Sequence, residues 1–294
     1  MSNKKGNRFT LVDIAVIIIL AAGISYFFFR MGNVLHYHWD WKAIPRYFIF
    51  RDPATGHFKA NILLKGFLTT IRISLWASLL GFLLGTISGI MGAGRSFLNR
   101  LASRLYVETV RNIPSLVLVI IFYYFVSSQF LDKLFLDQWL RNRSDVVQRF
   151  IGIILSDPEH INSFVSAVMA LAIYEGAYIS EIVRGGINSI PKEQWEAALS
   201  LGLSGTQTFL FIILPQAFQK VISPMAGQFI STIKDSAIVS VISIQELTFQ
   251  GMELMSATFL TFEIWITITC LYFILTFSLS RYFALLEKKL TTRQ

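Results

Sequence analysis

Residues 73–91 read ISLWASLLGFLLGTISGIM, without one charged side chain. A helix rises about 1.5 Å per residue, so a run of this length matches the roughly 30 Å hydrocarbon core of a bilayer. Apolar runs of similar character recur at 9–29, 106–131, 162–183, 221–244 and 264–280. Across the 294 residues 54% are hydrophobic and only 15% charged. Soluble domains carry about 25% charged residues, so the deficit is itself a class signal. The reading is an all-α transmembrane protein with about six spanning helices.

The formal net charge is +8, yet the basic side chains gather at the ends of apolar runs and form no stripe with interleaved aromatics. That pattern excludes a nucleic-acid partner and suits orientation signals instead. Lys4, Lys5 and Arg8 precede the first run as in a signal peptide, but bulky Tyr26 to Phe29 and then Arg30 replace a small-residue cleavage site. A retained first helix with its N-terminus inside follows. Arg95, Arg100 and Arg104, then Arg184 and Lys192, then Lys288, Lys289 and Arg293 fall on the same side. Both termini are therefore expected in the cytoplasm. The single cysteine, Cys270, sits in an apolar run and allows no intrachain disulfide.

Between the runs, 31–61 and 131–161 read as polar loops, and 61–72 as an interfacial helix leading into the second span. Gly81, Gly85 and Gly89 recur every fourth residue. They place a smooth stripe on one helix face, for ordinary close packing or for a seam that slides.

Residues 184–215 read RGGINSIPKEQWEAALSLGLSGTQTFLFIILP. Pro191 pre-sets a helical start, Glu193 and Glu196 occupy early turns, and Gly202 supplies a stop. The spacing predicts a short helix over 191–201, too polar to span, with Trp195, Ala198 and Leu199 on one face. Such a helix can lie on a membrane or dock in a partner's groove.

Glu196-Ala197-Ala198, followed by Gly202, Ile212 and Leu214-Pro215, resembles the EAA signature of ABC-importer permease subunits. Tyr106-Val107-Glu108 with Arg111 and Pro114, the run Glu175 to Tyr178, the run Glu181 to Gly186, and Lys234-Asp235-Ser236 are similar to the polar amino-acid permease family. The resemblance spans about residues 60–289. It implies a type I importer permease fold with an extra N-terminal helix. Residues 1–60 would hold that helix and an external loop, 61–289 the permease domain with its coupling loop at 184–215, and 290–294 a tail. Glu196, Ala197, Ala198 and Gly202, with Trp195 and Leu199, would dock into a separate ATPase. The implied partners are an ATPase dimer, a second permease subunit (identical or related), an extracytoplasmic amino-acid-binding protein and the lipid bilayer. The implied location is a bacterial inner membrane. ATP and its magnesium would belong to the ATPase, leaving this chain non-catalytic and without a cofactor of its own. The extra first span and the long 131–161 loop depart from the family's minimal pattern.

Charges within the spans are expensive and so need a reason. Glu175 lies in the fourth run, and Lys234 and Asp235 interrupt the fifth. One reading lines the translocation path with Glu175, Lys234, Asp235 and Ser236. The other is an interhelical ion pair such as Glu175 with Lys234. Glu108 and Arg111, three apart, are expected to pair locally. Pro224 and Gly227 suggest a kinked or broken fifth helix.

Glycine is never followed by lysine, so the chain has no P-loop, and neither HExxH nor CxxC occurs. His36, His38, His57 and His160 make no metal-ligand spacing. The competing function is a self-sufficient secondary amino-acid transporter, which would also place charges at mid-membrane but commonly shows inverted repeats. A receptor or scaffold is the third reading. Only an ATP-driven importer has a use for the EAA loop.

Overall fold

The computed structural model describes residues 11–33, 37–53, 56–127, 129 and 136–291. Lys4, Lys5, Arg8, His36, Arg293 and the start of the second loop at Leu131 lie outside these. The chain divides into two compact units, residues 1–43 and 44–294. In the first unit, α1 runs Leu11–Asn33, and Trp39 stacks on Trp41 with ring centroids 5.7 Å apart. The expected division at residue 60 thus moves. Residues 44–60 belong to the second unit, because α2 (Ile44–Phe48) packs on the helix that follows.

That unit continues with a small hairpin, β1 (Ile49–Arg51) paired antiparallel with β2 (Phe58–Ala60). The helices are α3 (Ile62–Ala93), α4 (Phe97–Asn112) and α5 (Ser115–Ile121), the last extended by a π-helical stretch, Phe122–Ser127. Then come α6 (Leu136–Arg141), α7 (Asp145–Ile154), α8 (Ile161–Asn188) and α9 (Lys192–Ser200). A turn at Gly205–Gln207 and a π-helical stretch at Thr208–Ile213 feed α10 (Leu214–Asp235), which runs on as a 3-10 helix, Ser236–Ile242. The chain closes with α11 (Leu247–Thr258) and α12 (Thr261–Thr291).

Among the described residues five helices are long and apolar enough to cross a membrane, and the bent pair α4–α5 makes a sixth. The expected count holds, with three differences. Residues 61–72 are no separate interfacial helix, because Lys65 and Arg72 ride on the same continuous α3 as the apolar run. The third span is broken, its halves bent by 107°. Pro114 forces the break, since it has no N–H to give and pushes Ile113 to extended backbone. Arg100 and Arg104, read as flanking charges ahead of the run at 106–131, lie within α4 itself. The fifth span passes through Pro224 as helix and instead tightens to a 3-10 helix after Asp235.

The centre of the bundle is the pairing of α3 with α8. A Cβ at Gly85 would stand 2.6 Å from the Gly176 carbonyl oxygen, and one at Gly89 would stand 2.7 Å from that of Ser180. Backbone touches backbone there, so the small-residue stripe is a packing requirement. The contacts advance together along both helices (81 with 175, 85 with 179, 89 with 183), so α3 and α8 run parallel. Hydroxyls tie in the first half of the broken span, with Ser180 donating to Ser88 at 3.0 Å and Ser88 paired with Ser103 at 3.2 Å. Ile73 and Ala77 of α3 and Phe164 and Leu171 of α8 form a buried core with Val239.

Candidate functional site

Two regions carry the candidate residues, and both are built on α8. The first is the end of the bundle where α8 turns into α9. Pro191 precedes α9 with φ −55°, and Glu193 sits in its positive first turn. The helix ends in a Schellman arrangement. Leu203 N–H reaches the Ala198 carbonyl at 3.3 Å, and Gly202 N–H reaches that of Leu199 at 3.0 Å. Gly202 takes φ +83°, which glycine adopts without strain. Two residues further on, Ser204 begins a reciprocal capping box with Gln207. A stop and a start placed back to back define the turn. The Ser-x-x-Gln signal was available in the sequence and adds to the glycine stop.

α9 is not a free surface helix. Trp195 stacks on Phe209 with centroids 6.3 Å apart, and Ala198 is buried. Trp195 packs on a cluster of Ile187, Ile190, Ile213 and Ala217 around the end of α8 and the start of the next span, and Ala198 is only 4% exposed. Of the six predicted docking residues, these two therefore face the chain's own spans. Glu196, Ala197 and Gly202 are exposed, and Leu199 is 42% exposed. The expected shared face of Trp195, Ala198 and Leu199 is split, because Leu199 turns toward solvent. Leu201, at 84%, and Phe211, at 68%, extend the outward apolar surface.

The second region lies along α8 toward mid-span. Glu175 is fully buried; Gln228 of α10 donates its side-chain N–H to Oε2. Its other oxygen, Oε1, is buried without a hydrogen bond among the described residues. Thr232 and Asp235 of α10 are the polar groups beside this carboxyl. Asp235 is half-buried and accepts from Ser231 Oγ at 3.3 Å. Lys234 is exposed, one residue and about 100° round the helix from Asp235. The expected Glu175–Lys234 ion pair is therefore absent, since one partner is buried and the other points out. Ser236 is buried, and its hydroxyl donates to the Ile233 carbonyl at 2.8 Å within its own helix. The structure thus gathers Glu175 with Asp235 and leaves Lys234 and Ser236 apart from them.

Two turns along α8, Glu181 accepts from Arg184 Nε and Nη2, at 3.0 and 2.6 Å, with Arg111 at 3.8 Å. Glu108 pairs with Arg104 at 3.6 Å, so the expected Glu108–Arg111 pair is not made. Arg111 reaches across to α8 because Val107 and Val110 turn that side of α4 into the bundle, and its guanidinium lies 5.0 Å over the Tyr178 ring. These groups, with Arg100 and Arg104, border a cavity of about 510 Å³.

Sequence reasoning missed Glu246. Fully buried, it caps α11 by accepting from Thr248 N and Phe249 N, both at 2.8 Å. Tyr272 Oη at 3.0 Å and Thr70 Oγ1 at 3.3 Å complete its shell. An N-cap before an apolar run was a readable signal; the donors from α3 and α12 were not.

Residues 48–292 match the family model described as "Binding-protein-dependent transport system inner membrane component". The chain is 33% identical over 223 residues to the glutamine transport system permease protein GlnP of Escherichia coli (strain K12), covering 74% of this chain and 90% of that protein. It is 34% identical over 235 residues to the probable glutamine ABC transporter permease protein GlnP of Bacillus subtilis (strain 168), covering 78% and 92%. Among solved structures it resembles one described as "Crystal structure of an amino acid ABC transporter with histidines", with TM-score 0.65 and 27% identity over 86% of this chain and 100% of that one.

Proposed function

Since the chain belongs to the family of binding-protein-dependent transport system inner membrane components, and is a multi-pass permease subunit of an ABC importer, we propose that it moves a polar amino acid and takes its energy through α9. The observation that carries this is the two-sidedness of α9. Trp195 and Ala198 lock it to the ends of two spans, while Glu196, Ala197 and Leu199 face outward. A helix bound rigidly to spans on one side and open on the other can pass a push from a partner to the membrane helices. The outward groups suit a groove on a separate ATPase dimer, which holds the ATP and magnesium. This chain then contributes no chemistry to hydrolysis.

The remaining parts follow from that arrangement. A second permease, identical or related, supplies the other wall of the path, and an extracytoplasmic binding protein delivers the amino acid. The α9 end faces the cytoplasm, which puts both termini there in a bacterial inner membrane. Glu175 and Asp235 border the path. The buried Glu175 Oε1 is an acceptor that an amino group in transit can meet, and charge inside a membrane is retained where it serves a passage. Lys234 and Ser236 leave that reading, the one because it points away, the other because its hydroxyl is engaged.

Purification in mild detergent with mass spectrometry of bound proteins tests the proposal. An ATPase subunit should accompany the wild type and be lost from Glu196→Lys. Wild-type protein that retains no ATPase, yet transports in vesicles, would overturn it in favour of a secondary transporter.

A further inference from the structure

α7 lies at the end of the bundle opposite α9. The parallel pair α3 and α8 reaches α9 with its C-terminal ends, whereas α7 is joined to the N-terminal part of α3. Of the ten residues of α7 none is buried, and its apolar side chains fall on one face. Val146, Phe150 and Ile153, at i, i+4 and i+7, are 76%, 64% and 74% exposed. Asp145 sits away from that face. Left to water, such a face would gain nothing by being helical and apolar.

Two hydrogen bonds fix the depth of this helix. Arg72 donates to the Gly152 carbonyl, and Trp76 Nε1 donates to that of Ile154 at 3.1 Å. Both carbonyls belong to the last turn, where a helix has no partners of its own. Arg72 is the last charge before the uncharged run 73–91 of α3, so α7 ends where the hydrocarbon begins. The side of α3 it meets is itself apolar and exposed, with Leu68, Leu75 and Leu79 at 44–52%. The apolar face of α7 is therefore continuous with an exposed apolar face of a span. Beside it, the Arg143 guanidinium lies 4.5 Å over the exposed Trp139 ring, a pairing of the kind that seats at headgroup level.

We propose that α7 is an interfacial helix whose Val146–Phe150–Ile153 face is immersed in the lipid leaflet remote from α9, bracing the outer part of α3 through Arg72 and Trp76. The occupant of the face is lipid. A protein such as the delivering binding protein would have to reach a surface set at the edge of the hydrocarbon. The inference rests on the spanning helices alone and is independent of what is transported.

Single cysteines test it in the full-length Cys270→Ser chain. Phe150→Cys, Ile153→Cys and, as the water-facing control, Asp145→Cys are spin-labelled in nanodiscs of phosphatidylcholine and phosphatidylglycerol, with no other protein added. Collisions with oxygen, which concentrates in lipid, are compared with those of a water-soluble nickel chelate. The oxygen-to-nickel ratio should be severalfold higher at 150 and 153 than at 145. Equal ratios at the three sites would overturn the proposal in favour of a water-exposed helix. Protection of 150 and 153 from both agents would overturn it in favour of burial in protein.

Discussion

Of the three glutamates that are fully buried among the described residues, Glu246 and Glu175 are treated in opposite ways. Glu246 accepts four hydrogen bonds, two from the backbone of the helix it caps and two from neighbouring helices. Glu175 accepts one bond on one oxygen and leaves the other buried and unmatched, with Asp235 close by. Removing a carboxylate from water is costly, and hydrogen bonds are what offset that cost. Glu246 is offset by the fold itself, which makes it a structural part. Glu175 is left partly uncompensated, the arrangement expected of a group whose partner arrives from outside.

Substitutions can break this contrast, beginning with the largest effect. Glu246→Ala leaves the α11 N-terminus and the Tyr272 and Thr70 hydroxyls without their acceptor. Each buried donor left without an acceptor costs about 1–3 kcal/mol, so thermal unfolding in detergent should drop sharply and membrane abundance with it. An unaltered melting temperature would remove the structural reading of Glu246.

Glu175→Gln should leave abundance and melting near wild type, because a glutamine of the same shape keeps a carbonyl for Gln228. Uptake should fall about 10- to 100-fold, the equivalent of the roughly 1.5–3 kcal/mol carried by a hydrogen bond to a charged group. Comparing reconstituted uptake with abundance separates the two effects. A loss of protein equal to the loss of transport would make Glu175 a second Glu246. Smallest of all, Lys234→Ala should alter stability by less than about 0.5 kcal/mol, as exposed side chains usually do. A large loss of stability on denaturation would show that Lys234 has a partner after all.

The same contrast marks how far the sequence could be read. The spans were legible because uncharged runs have one physical solution in lipid, and the Gly81–Gly85–Gly89 stripe was legible because its spacing is the helix repeat itself. The α9 stop was legible in Gly202. Less legible was anything set by contacts between distant residues. Glu175 meets Gln228 rather than Lys234 because the facing turn of α10 presents residue 228, and sequence spacing carries no register between helices. Arg111 finds Glu181 instead of Glu108 for the same reason. The break at Pro114 is local and had a signal, yet the apolar residues after it continue so smoothly that hydropathy reads straight through. α7 sat inside a segment read as loop, because its ten residues are too few to cross a bilayer and lie between charged, polar stretches.

What joins the two regions is α8, which carries Glu175 at its middle and hands on to α9 at its end. On the proposed function, force enters at the outward face of α9 and passage occurs near Glu175. ATP hydrolysis and amino-acid uptake can be measured with the permease and its ATPase reconstituted with an amino-acid-loaded binding protein, for wild type and Glu196→Lys. Stimulation of hydrolysis and uptake should be lost together in the variant, with the melting temperature of the permease unchanged; that is the coupling role of α9. Wild-type stimulation and uptake in Glu196→Lys would contradict it.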